Sequence, residues 1–141
     1  MEITNRRYHV LIYDDDPTMV DVYASLLAGA GYRLTIRRGV PLDAAAMSAL
    51  APDLIVLGLL AEYTDAGTGF IAQLRAHPDT HHLPIVVCSG DTERLRRLAT
   101  RLLAWDCTVV TRPLEGSVFM AAVRSGLERG SILAARLPDA A

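Results

Sequence analysis

Cysteine is scarce in this chain. Its 141 residues hold only Cys88 and Cys107, too few for a disulfide scaffold and not spaced like metal ligands. Each is expected at a different end of a parallel sheet, beyond the ~7 Å Cα separation that a disulfide tolerates. Long apolar runs are missing too: none approaches the ~20 residues of a membrane span. There is no excess of positive charge. The formal net charge is -2, which argues against a general nucleic-acid-binding role. The stretch from Met1 to Arg7 has no signal-peptide core and leads straight into an apolar run, so a cytoplasmic protein is the default expectation. No internal repeat or low-complexity segment marks a second domain. Residues 1–130 are expected to form one domain, and 131–141 a tail with a short helical turn.

What is present is a regular alternation. The hydrophobic share is 51% and the charged share 21%, as in ordinary globular proteins. Five apolar strand patterns, at about 9–14, 32–37, 54–58, 85–89 and 107–111, alternate with helical patterns. Val10-Leu11-Ile12, Leu54-Ile55-Val56-Leu57 and Ile85-Val86-Val87 are continuously apolar, which suits strands covered on both faces of a parallel sheet. The second strand instead alternates Tyr32, Leu34 and Ile36 with Arg33, Thr35 and Arg37, as an edge strand does. Together these predict an α/β fold: a doubly wound (βα)5, flavodoxin-like three-layer sandwich with parallel strand order 2-1-3-4-5.

The first helix is predicted to start at an Asp16 cap with Pro17 in its first position. Its apolar stripe reads Met19, Val22, Tyr23, Leu26, Leu27 and Ala30, and Gly29 to Gly31 stop it. A weaker helix covers about 41–50, and a third about 67–77. The fourth is capped by Asp91 or Thr92 and carries Leu95, Leu98, Ala99 and Leu102 on one side. The fifth, about 114–129, carries Val118, Phe119, Ala122 and Leu127 and is expected to end at Gly130.

Ligands of open parallel sheets sit at the carboxyl ends of the strands. Asp14, Asp15, Gly58, Ser89 and Arg112 all fall there. With the strand Pro52-Asp53-Leu54-Ile55-Val56-Leu57-Gly58, the acid run Asp14-Asp15-Asp16-Pro17, the pair Ser89-Gly90 and the pair Arg112-Pro113, the layout resembles the receiver domain of two-component response regulators over nearly the whole chain. That resemblance implies a phosphoacceptor aspartate at the end of the third strand, where this chain has Gly58. It also implies an acid pair for magnesium at Asp14 and Asp15, with a further ligand from the Leu60 carbonyl. Ser89, Val109, Arg112 and Pro113 stand at the switch positions. Ser89 either senses a phosphoryl group or bonds to local backbone.

The departures point one way. Glycine has no nucleophile, so phosphoryl transfer has no attacking oxygen at 58. With one carboxylate gone, Asp14 and Asp15 are expected to hold magnesium weakly at most. Arginine replaces the family's lysine at 112; its planar fork suits carboxylates, so it either pairs with Asp14 or Asp15 or faces solvent. Val109 cannot perform the swing of the family's aromatic residue. The loop after the third strand lacks the family's Met-Pro and is about one residue longer. The expectation is a stand-alone pseudo-receiver that is not an enzyme, has no catalytic residue and no required cofactor, and acts by protein contacts.

Alternatives are phosphorylation at a non-standard residue (Asp53, Glu62, Asp65 or Ser89), or a small-ligand module in the strand-end crevice. Three aspartates after the first strand oppose phosphorylated ligands. The expected partner is a histidine kinase, a downstream regulator or a second copy, met by a face including Arg94, Arg97, Arg101 and Trp105, or else that basic helix is an ordinary solvated face. His77, His81 and His82 give no sign of a metal site.

Overall fold

The computed structural model describes residues 7–38, 43–59 and 64–136. Within them five strands and five helices alternate: β1 (His9–Tyr13), α1 (Pro17–Gly29), β2 (Arg33–Arg37), α2 (Ala44–Leu50), β3 (Leu54–Gly58), α3 (Thr64–Ala76), β4 (Ile85–Ser89), α4 (Thr92–Ala104), β5 (Thr108–Thr111) and α5 (Gly116–Arg136). The sheet order is β2-β1-β3-β4-β5, and all four pairings are parallel. This is the predicted doubly wound sandwich.

Period-2 side-chain alternation divides the core into two. Leu11, Ile55, Leu57, Ile85 and Val87 face Met47, Phe70, Leu74, Leu98 and Leu102 from α2, α3 and α4. Val10, Ile12, Val56, Val86 and Val110 face Val20, Tyr23, Leu27, Phe119 and Val123 from α1 and α5. The continuously apolar strands are the ones covered on both sides, while β2 is only half-covered at its edge.

Helix ends follow local chemistry. Asp16 caps α1, its carboxylate accepting from the Thr18 and Met19 N–H groups. At the other end the Tyr32 N–H reaches the Leu27 carbonyl and the Gly31 N–H reaches that of Ala28, with Gly31 at a φ of 88°. That paired closure is a Schellman motif, and its left-handed residue favours glycine. α4 ends the same way, Cys107 N–H to Leu102 and Asp106 N–H to Leu103. There Asp106 takes the left-handed position, at a φ of 56°.

Several helix expectations need correction. α1 buries Val20, Tyr23 and Leu27, while Val22 and Ala30 are exposed. Residues 20 and 22 are both valine, so composition could not choose between them; the line through 20, 23 and 27 is the one that meets the sheet. Ala99 and Val118 also face outward; beside Val118, the larger Phe119 takes the inward position and starts a buried line through Val123 and Leu127. α3 begins at Thr64, a turn before the expected Gly67. Asp53 precedes β3 instead of lying within it, and its carboxylate accepts from the His9 N–H at 2.8 Å.

The expected stop at Gly130 does not occur. α5 runs on to Arg136, so the helix crosses the anticipated boundary at 131. Gly130 serves close packing: a Cβ there would lie 2.9 Å from Pro84 Cγ, and one at Gly126 would lie 2.9 Å from Leu54 Cδ1. The two glycines leave a flat strip on which α5 rests against Pro84. Leu60 and Glu62 lie outside the described residues, as do positions 41 and 42 of the expected second helix and the tail beyond 136.

Candidate functional site at the strand ends

The carboxyl ends of β1, β3, β4 and β5 bring Asp14, Gly58, Ser89 and Arg112 together. Asp14 follows β1 directly and is only 1% exposed. Its Oδ1 accepts from the Asp16 N–H at 2.9 Å. Its Oδ2 accepts from the Tyr23 hydroxyl at 3.1 Å and from Arg112 Nη2 at 3.3 Å. Arg112 also approaches Asp16, Nη1 to Oδ2 at 3.6 Å. Its stem lies against Gly90, whose Cβ position is 3.5 Å from Arg112 Cβ. Arg112 Nε is buried with no hydrogen-bond partner.

Burial raises the Asp14 pKa above the ordinary carboxyl value, against the lowering effects of the Asp16 N–H, the Tyr23 hydroxyl and Arg112. Burial also raises the Tyr23 phenol, helped by Cys88 and Asp14, and pushes the Cys88 thiol up to about 12. Cys88 is thus a protonated, inert core residue. Tyr23 is held from behind by Phe119, stacked at a centroid distance of 5.3 Å.

Gly58 explains where the Asp14 side chain goes. A Cβ built on Gly58 would overlap the Asp14 carboxylate, with Oδ1 at 2.8 Å. Asp14 therefore occupies the space that a side chain at 58 would need. Position 58 offers no oxygen, and Asp14 already carries a cation and a hydroxyl donor. This donor set does not fit an octahedral magnesium ion, which needs several oxygens free to face it. Among the described residues no group of three acidic, histidine or cysteine side chains is placed to hold a metal.

The other expected positions separate. Ser89 is buried, and its hydroxyl accepts from the Asp91 N–H at 3.1 Å, a local backbone bond. Val109 faces outward, 40% exposed. With Leu95, Ala99, Leu102 and Leu103 it lines a groove of about 510 Å³ between α4 and β5. Leu103 is 80% exposed beside it. Of the basic residues on α4, Arg94 pairs with Asp91 and Arg96 with Glu93, while Arg97 and Arg101 are exposed. Pro113 follows Arg112 in the exposed turn before α5. Trp105 caps the far end of α4 and is half-buried.

Sequence reasoning missed one member of the site. Tyr23 reads as one more apolar residue on a helix stripe; its hydroxyl is what distinguishes it, as a buried phenol needs a partner. The arginine at 112 has a compositional background. The chain contains no lysine at all, so arginine at 112 follows a chain-wide usage, and its bearing on the site comes from its bond to Asp14.

Solved structures similar to this chain include signal receiver domains. The chain has 22% identity to the signal receiver domain of an HD domain-containing protein from Pseudomonas fluorescens, with a TM-score of 0.76, covering 94% of this chain and 96% of that one. A putative response regulator from Chloroflexus aurantiacus has 25% identity and a TM-score of 0.70, covering 87% and 99%. The signal receiver domain of a signal transduction histidine kinase from Syntrophus aciditrophicus has 22% identity and a TM-score of 0.68, covering 95% and 96%. No protein-family model and no curated protein matches the sequence. The fold is that of a signal receiver domain.

Proposed function

We propose that this chain is a receiver-type signalling module of the two-component kind, working in the cytoplasm through protein contacts, without aspartyl phosphate and without enzymatic activity. One observation carries the reading. The Asp14 carboxylate fills the space beside Gly58 while bonded to Tyr23 and Arg112. The place where an acceptor, a metal and a phosphoryl group would meet is taken by an internal ion pair. Arg112 supplies the positive charge that magnesium supplies elsewhere in the family, and supplies it permanently.

The non-standard acceptors find less support. Ser89 is buried and spends its hydroxyl on Asp91, and Asp53 lies at the opposite end of the sheet, bonded to His9. Output then depends on a surface. The apolar groove between α4 and β5, with Arg96 in its lining, suits a partner with an apolar ridge and an acidic flank. A histidine kinase, a downstream regulator or a second copy of this chain can provide one.

The test is intact mass after incubation with magnesium and acetyl phosphate. The wild-type protein is expected to gain no phosphoryl group. A phosphorylated species, mapped to any residue, overturns the reading.

A further inference from the structure

A second concavity lies at the opposite end of the sheet, where the chain enters β4 and β5. It encloses about 170 Å³. Its walls are mainly apolar: Leu83, Pro84, Ala104 and Trp105. Arg75, His81, His82, Asp106, Arg129 and Gly130 complete the lining, with Asp106 its one carboxylate. None of these residues belongs to the strand-end site.

Arg75 is the unusual member. Its Nε donates to the Trp105 carbonyl at 2.7 Å, and its Nη1 donates to the carbonyls of His81 and Leu83 at 3.1 and 2.7 Å. Three backbone bonds, none of them through Nη2, fix the guanidinium, which also meets the Cys107 side chain. No carboxylate pairs with it: Asp106, the acid whose charge reaches it, pairs with Arg129 at 3.2 Å. Burial is the main influence on Arg75 and lowers its pKa, against the raising effects of Cys107 and Asp106. Such a charge is costly until an anion meets it. Nearby, His82 Nδ1 is buried with no partner. In its Nδ1–H form it is an unsatisfied donor.

We propose that this cavity binds a small carboxylate with an apolar body, its carboxylate on Arg75 Nη2 and its body against Trp105, Pro84 and Leu83. The size is appropriate, since a dry cavity of about 150 Å³ accepts benzene. The chemistry favours carboxylate over phosphate. One guanidinium edge matches a carboxylate, and the apolar walls leave a phosphate's remaining oxygens unpaired. The inference is independent of the function proposed for the strand ends.

Benzoate is the probe, and Trp105, the single tryptophan of the chain, is the reporter. Titration is expected to give a saturable change in Trp105 fluorescence, confirmed by calorimetry, with no saturable response to the neutral isostere benzamide. Arg75→Gln and Ala104→Leu are each expected to weaken benzoate binding by at least about tenfold, about 1.4 kcal/mol. Ala104 is exposed at the rim, so the second variant narrows the cavity without touching the core. If Arg75→Gln fails to fold, as judged by circular dichroism, Ala104→Leu and benzamide still decide. Absence of saturation, an equal response to benzamide, or benzoate binding indifferent to Ala104→Leu overturns the proposal.

Discussion

At Asp14 three donors converge on two carboxylate oxygens, yet burial still holds its pKa above 3.8. The sign of the consequence is fixed by linkage. A raised acid keeps its proton longer in the folded state than in the unfolded one. Its contribution to stability therefore declines as pH rises from 3.8 through the folded value, then levels off. Urea midpoints measured across that range are expected to show this decline in wild type and to lose it in Asp14→Asn. Gly58→Asp tests the same contact sterically. Because the Asp14 carboxylate fills that space, the variant is expected to lose about 1–3 kcal/mol. Adding Asp14→Ala is expected to return part of the loss, a coupling readable from a urea double-mutant cycle. The residues at the strand ends were legible in the sequence because strand order dictates which positions share an edge. The turn of Asp14 into the gap at Gly58 was not, since hydrophobic period fixes a residue's face and says nothing of its rotamer.

Two helices end in the same closure with different residues at the left-handed position. Gly31 bears no penalty there, whereas Asp106 does. Comparing Asp106→Gly with Asp106→Ala isolates that backbone effect, as both lose the Arg129 pair. The glycine variant is expected to be the more stable by about 1 kcal/mol, measured by urea unfolding. Helix starts were readable because Asp16-Pro17 and Asp91 are strong local signals. Gly130 misled for a physical reason: glycine ends a helix when it supplies a positive φ, but here it stays helical and supplies a missing side chain against Pro84. Likewise, alternation placed β2 at the edge, while the valine pair at 20 and 22 left the buried line of α1 undecided until it met the sheet.

As a whole the molecule is one sheet with a helical layer on each side, and that much follows from strands covered on both faces. Among the described residues no helix is long and apolar enough to cross a membrane. If the internal ion pair replaces the metal, millimolar magnesium is expected to leave the melting temperature unchanged; a saturable rise would show that the acid residues still bind it, since a ligand selective for the native state stabilises it by mass action. The filled gap at Gly58 also constrains how this molecule can change. A lone substitution that placed a carboxylate at position 58 would meet one already seated there, with Arg112 clasped to it. Accommodating a second acid at 58 is thus no single step. Asp14 would have to be turned out or replaced as well, and the first change alone passes through a less stable protein, so the present arrangement acts as a ratchet.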